Sequence, residues 1–244
     1  MSQEKFNKVL LKWYYDNGVN YSISRPNIYI SSIAKKNIKI KTEELNNKKN
    51  TLADCNSLEK LREAIDSFEE CALKMTSKNL VFADGNPESK IMLLGEAPGE
   101  EEDKTGIPFV GTAGKLLDKM LLAINQSRKN TYISNIIFWR PPGNRRPTEQ
   151  EVQLCLPFVY KHIEIIRPKI LILAGSTAAK AILNLDLGIT KIRGIWYDLN
   201  FQNLKQKTKT MAIYHPAFLI RQPARKREAW EDLKRIKSEI DKIT

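Results

Sequence analysis

Hydrophobic positions along this chain follow two different periods. Four short apolar runs, residues 91–95 (IMLLG), 131–138 (TYISNIIF), 169–175 (KILILAG) and 210–215 (TMAIYH), lack a regular polar alternation. Runs of this kind predict strands covered on both faces, as in a parallel sheet. Between them the period is helical. Leu116, Leu117, Met120, Leu121 and Ile124 form one stripe, and Trp230, Leu233, Ile236 and Ile240 another. Thr148 and Glu151 have capping-box spacing ahead of a third helix, and Ser176 is the expected N-cap of a fourth over STAAKAILN. Strands alternating with helices predict an α/β fold, a three-layer α/β/α arrangement around a four-stranded, mostly parallel central sheet.

Residues 1–60 follow neither period for long. Phe6, Val9, Leu10 and Trp13 suggest a short amphipathic helix stopping near Asn17-Gly18, and AKKNIKIKTEELNNKKN reads as a polar linker. The expected organisation is an N-terminal extension over 1–60 and one α/β domain over 61–244.

Charge adds a partner class. The chain carries 40 Lys and Arg against 28 Asp and Glu, a net charge of +12. Such a balance favours a polyanion, because basic groups on phosphates release condensed counterions; a Lys- and Asn-rich composition alone gives the same balance. No stretch reaches the roughly 20 apolar residues of a membrane span, and MSQEKFNKVLLKWYYDNG lacks the long apolar core of a secretory signal. The reading is a cytoplasmic protein with no membrane partner. Cys55, Cys71 and Cys155 form no CxxC pair, which argues for reduced thiols. Cys155 shares an apolar helix face with Val152 and Val159 and is expected to be buried, whereas His162, between Lys161 and Ile163, is expected at the surface.

In open parallel sheets ligands bind beyond the carboxyl ends of the strands. Three unusual segments fall there: GEAPGEEED after the first run, Asn135 within the second, and His215-Pro216 at the end of the fourth. Glu96 leaves its strand directly, where a carboxylate could hold a water or stabilise positive charge developing on a sugar. The acids Glu100, Glu101, Glu102 and Asp103 suit a solvated turn or a helix N-terminus.

These segments resemble a known family. GEAPGEEEDKTGIPFVGTAGKLLDKML is similar to the first motif of family 4 uracil-DNA glycosylases, YISNIIFWRPPGNRRPTEQE to their second conserved region, and YHPAFLIRQPARK to their third. The resemblance spans roughly residues 65 to 240, with the motifs in family order. It implies a glycosylase-like catalytic domain and a DNA repair enzyme that flips uracil out of DNA and hydrolyses its N-glycosidic bond, leaving an abasic site. It also assigns roles. Phe109 stacks on the extruded base, Asn135 reads its Watson–Crick edge, Ala97 lines the same pocket, and His215 faces uracil O2. Ala97 stands where another family of these enzymes carries an aspartate, so Glu96 and then Glu102 are the candidates for activating water. Arg140, Asn144, Arg145, Arg221 and Arg225 are expected on DNA, and Phe218 or Leu219 in the gap left by the base.

The resemblance departs at one place. Family members hold a [4Fe–4S] cluster on four cysteines; Cys71 and Cys155 match two of these positions, and Phe68 and Trp139 stand at the other two. Thiolates are the ligands such clusters need, so no cofactor is expected, and apolar packing is expected around the two aromatics. No histidine-bearing basic insertion separates Gly99 from Phe109, which argues against covalent DNA cross-linking. The expected partner is uracil-containing DNA and the expected state a monomer. Two rival readings are a glycosylase for hypoxanthine or xanthine, and a catalytically silent DNA-binding protein of the same fold.

Overall fold

The computed structural model describes residues 52, 55–201 and 203–243, all within one compact unit spanning 37–244. The amphipathic piece at Phe6–Trp13 and the polar stretch after it lie outside the described residues. The first long helix among the described residues, α1 (Leu58–Asp66), is N-capped by Ser57 and crosses the expected boundary at residue 60.

All four apolar runs form strands: β2 (Ile91–Gly95), β3 (Tyr132–Asn135), β4 (Ile170–Ala174) and β6 (Thr208–Ile213). They pair in parallel in the order β3-β2-β4-β6. Two strands went unforeseen. The two-residue β1 (Asp84–Gly85) and β5 (Trp196–Leu199) run antiparallel at the two edges, completing six strands. Neither carries a continuous apolar run, because an edge strand has no need to be buried on both faces.

The core follows from strand alternation. Met92, Leu94, Leu171 and Leu173 point to one face, where they meet α1, α5 (Glu149–Ile166) and α6 (Ser176–Leu183). Ile91, Leu93, Ile170 and Ile172 point to the other, against α4 (Thr112–Leu122) and α9 (Lys226–Ile240). Side chains of this class contribute roughly 1.5–3 kcal/mol each on full burial, so each face forms its own layer. The remaining short helices are α2 (Leu73–Thr76), α3 (Glu100–Thr105), α7 (Ile189–Ile192) and α8 (Pro216–Arg221).

Local signals held with small shifts. Thr148 Oγ1 accepts from Glu151 N–H at 3.2 Å while Glu151 Oε2 accepts from Thr148 N–H at 2.8 Å, the expected reciprocal cap. Gly175, not Ser176, caps α6; its φ of +96° is one that glycine adopts without strain. Trp230 is 43% exposed although its stripe partners Leu233, Ile236 and Ile240 are buried.

Candidate active site

The carboxyl ends of the four parallel strands open onto one cleft of about 530 Å³. Glu96 and Ala97 follow β2, Asn135 ends β3, Gly175 follows β4, and His215 lies just past β6. Residues up to 120 positions apart in sequence therefore line one wall because sheet register brings them there; Gly95 and Asn135 are direct partners. The loop after β2 is tied down by Ile136 N–H to Gly95 O (3.0 Å) and Ile137 N–H to Glu96 O (3.1 Å). These two bonds continue the β3 pairing beyond the strand itself.

Asn135 is 2% exposed, and its Oδ1 has no hydrogen-bond partner among the described residues. A buried amide oxygen left unpaired costs about 1–3 kcal/mol, and Asn135 lines the cleft. Phe109 converges on the same point. A Cβ on Gly95 would lie 2.3 Å from Asn135 Oδ1 and 2.4 Å from Phe109 Cζ, so glycine alone lets the amide and the ring approach each other. Phe109 adopts φ +56°, a left-handed conformation that costs a non-glycine residue roughly 1–2 kcal/mol. Its carbonyl packs onto α4 at Gly114, where a Cβ would fall 1.6 Å from that oxygen.

His215 stands across from Phe109, ring centroids 5.7 Å apart and planes 29° from parallel. Its Nδ1 accepts the Ala217 N–H at 3.1 Å. In the neutral ring this places the proton on Nε2 as a donor. Burial, helped by the Arg221 guanidinium, lowers the imidazole to about 4. Gly175 makes room for it, since a Cβ there would lie 3.0 Å from His215 Cβ.

The two acidic candidates differ in environment. Glu96 lines the cleft, and its Oε2 accepts from Thr177 Oγ1 at 2.5 Å. Glu102 is buried, with Oε2 accepting from Gly99 N–H (3.1 Å) and Oε1 from Gly111 N–H (2.8 Å). One carboxylate thus braces the starts of both α3 and α4. The acid run forms the first turn of α3, where negative charge suits the helix dipole. Glu100 and Glu101 pair with Lys104, and Asp103 accepts from the backbone of Lys78 and Asn79.

Basic residues rim the cleft unequally. Arg145, Arg146 and Arg221 line it together with Asn144. Arg145 is held bidentate by Glu151 at 2.9 and 2.6 Å, and this pairing lowers the Glu151 carboxyl to about 2. Arg140 donates from Nε to Asn144 Oδ1 (2.8 Å) and stands 3.6 Å from Glu100; Arg225 pairs with Glu228 at 2.5 Å. Arg146 and Arg221 have no ion pair among the described residues. Leu219 corrects the expectation for the intercalating side chain. It is 1% exposed and faces the core from α8, while Phe218 stays on the cleft and Ile220 is exposed.

His162 is a second correction. It is 1% exposed, 2.7 Å from the Tyr132 hydroxyl and stacked on Phe82 at 4.6 Å, and burial lowers its imidazole to about 3. The signal was in the sequence: Cys155, Val159, His162 and Ile166 recur at helical spacing on one face of α5, and spacing outweighs the polarity of neighbouring Lys161.

The residues at the family's cluster positions do not fit an iron–sulfur centre. Cys71 and Cys155 are buried neighbours whose contact lowers the Cys71 thiol to about 7 and raises that of Cys155. The other two positions offer no sulfur. Trp139 is buried in the same core, edge-on to Phe138, and Phe68 packs edge-on against Phe158 at 5.0 Å. Among the described residues no three His, Cys, Asp or Glu side chains are grouped to hold a metal ion.

Gly95 and Thr177 carry no signal of their own in the sequence: Gly95 is the last residue of an apolar run, and the partner of Thr177, Glu96, is 81 positions away.

The chain is similar to characterised proteins over most of its length. Residues 82–234 match the model of the Uracil DNA glycosylase superfamily. A type-4 uracil-DNA glycosylase of Archaeoglobus fulgidus is 40% identical over 184 residues, 74% of this chain and 92% of the relative. Enzymes of the same description from Sulfurisphaera tokodaii and Thermotoga maritima are 39% and 37% identical, covering 84% and 95% of those proteins. The cleft motifs, the parallel sheet that assembles them and these relatives together place the chain in the type-4 uracil-DNA glycosylase family.

Proposed function

We propose that this protein excises uracil from DNA by hydrolysis of the N-glycosidic bond, through its α/β domain. The observation that carries the reading is buried Asn135, whose amide oxygen has no partner among the described residues, beside Phe109. Uracil offers an N3–H donor and an O4 acceptor, and an asparagine amide supplies the matching acceptor and donor. Cytosine reverses both and meets two repulsions. Phe109 contributes a flat face, and base–aromatic stacking is worth about 1–3 kcal/mol.

The reaction follows from charge. As the bond between sugar C1′ and uracil N1 breaks, its electron pair passes to the base and spreads onto O2. Neutral His215 donates Nε2–H to that oxygen, stabilising the transition state more than the ground state. Glu96, held by Thr177, orients a water toward C1′ and takes its proton as the new C–O bond forms. Glu102, with both oxygens on backbone amides, acts as a brace; the water role therefore goes to Glu96.

The test is an oligonucleotide containing uracil, hypoxanthine or xanthine, scored for alkali-labile sites between pH 5 and 8. Uracil is the expected substrate, and turnover should show no histidine inflection near 6.5. His215 remains neutral down to about pH 4, and only below that does a proton reach Nδ1 and disrupt its cap on Ala217. Absence of cleavage on all three substrates overturns the reading in favour of a silent DNA-binding protein. Cleavage of hypoxanthine or xanthine in place of uracil overturns the Asn135 assignment, and a full inflection at 6.5 overturns the neutral histidine.

DNA is held by the rim. Arg221→Ala should lower the slope of log affinity against log salt by about one, the contribution of one phosphate contact. Arg225→Ala should change it less, because Glu228 already neutralises that guanidinium. Equal slopes for wild type and Arg221→Ala would move the DNA face elsewhere. The protein acts as a monomer in this proposal, since one cleft contains every group the reaction uses.

A further inference from the structure

Arg128 lies outside the cleft lining, in the turn between α4 and β3, yet it touches the loop that carries Phe109. Nη1 donates to the Pro108 carbonyl at 3.0 Å, and Nη2 donates to the Phe109 carbonyl. On its other side the guanidinium is held by two carboxylates: Nη1 by Asp84 at 2.6 Å and Nε by Asp118 at 2.9 Å. Four of the five guanidinium N–H groups are engaged. Asp84 belongs to the edge strand β1 and Asp118 to α4, so the side chain ties two separate elements to one loop.

That loop has reason to move without a clamp. Phe109 is a non-glycine residue at φ +56°, and such conformations persist only where surrounding structure over-determines them. The Phe109 carbonyl is enclosed between Arg128 and the bare Cα of Gly114. Releasing the carbonyl lets the backbone relax and swings the ring away from Asn135 and His215.

We propose that Arg128 is a positioning residue for base excision, clamping Phe109 in its strained conformation so that the ring forms one face of the uracil site. The inference rests on Phe109 as the stacking residue. It assigns Arg128 no contact with DNA or base; its effect passes through the loop. A lysine cannot replace it, because one ammonium lacks the planar fork that reaches two carboxylates and two carbonyls together.

The test uses the full chain with Arg128→Lys and Arg128→Met, alongside Phe109→Ala and the double variant Arg128→Lys with Phe109→Ala. Arg128→Lys keeps a cation for Asp84 and Asp118 and is the variant relied on if Arg128→Met does not fold. Arg128→Lys should lower kcat/KM on uracil-containing duplex by about 10- to 100-fold, the scale of an ångström-level misplacement. Inhibition by free uracil should weaken by a comparable factor, while affinity for an abasic duplex stays within about twofold of wild type. The double variant should be no slower than Phe109→Ala, since both act on one ring. A purely structural arginine would lower the melting temperature and leave the uracil inhibition constant unmoved.

Wild-type excision and uracil inhibition in Arg128→Lys would overturn the clamp, as would equal loss of abasic-duplex affinity, which would make Arg128 a DNA contact. Wild-type activity in Phe109→Ala would instead remove the stacking role on which the clamp depends. The two failures are thus told apart.

Discussion

Asn135→Asp should lower uracil excision by roughly 10²- to 10³-fold, as loss of one well-placed polar contact does in sites built to pair a substrate's hydrogen-bonding groups. The mechanism is local. Asn135 is buried on the cleft wall, and its amide presents one acceptor and one donor. A carboxylate there presents two acceptors, one of which faces uracil O4 and repels it, and burial penalises its charge. If it takes up a proton to escape that penalty, the proton on one oxygen lets its O–H and C=O meet cytosine, and on the other oxygen uracil. Weak cytosine release is therefore the expected gain accompanying the loss. The measurement is single-turnover cleavage of matched uracil and cytosine oligonucleotides, with thermal unfolding as the folding control. Wild-type uracil turnover in a folded Asn135→Asp protein would show that another group reads the base.

Trp139→Ala should produce the largest stability effect, because Trp139 lies fully buried where the family carries a cluster ligand. Truncating a buried tryptophan costs about 3–5 kcal/mol through lost transfer and the cavity left behind. For a domain of this size each kcal/mol lowers the melting temperature by about 2–4 °C, so a drop on the order of 10 °C is expected. Cys71→Ala combined with Cys155→Ala should leave uracil excision largely intact, since neither thiol reaches the cleft. Protein purified without air should be colourless and retain activity on uracil-containing DNA. A brown preparation with about four irons per chain, the content of one such cluster, would overturn the aromatic-packing account.

Taken together, the two variants separate roles that a metal centre would merge. A cluster tethers distant segments by covalent bonds to metal, whereas Phe68 packs on Phe158 and Phe138 on Trp139 against one apolar core. Packing of this kind depends on shape. It tolerates loss of a thiol but not of a large ring.

Much of this protein was legible before any coordinates. Largely apolar runs gave the four parallel strands, since a strand covered on both faces buries most of its side chains, and helical spacing gave α4, α5 and α9. The rule that ligands sit beyond strand carboxyl ends brought Glu96, Asn135 and His215 to one cleft. Tertiary structure alone decided the rest. β1, at two residues, is too short to carry a period, and β5 (WYDL) has neither a continuous apolar run nor a strict alternation. Leu219 and Phe218 are adjacent in sequence, and only the packing of α8 determines which one enters the core. Glu102 is occupied because two backbone amides converge on it, and Arg128 gathers Asp84, Pro108, Phe109 and Asp118. Periodicity records which way each residue faces along its own element; it does not record which residues from other elements it will meet, and a site is made of those meetings.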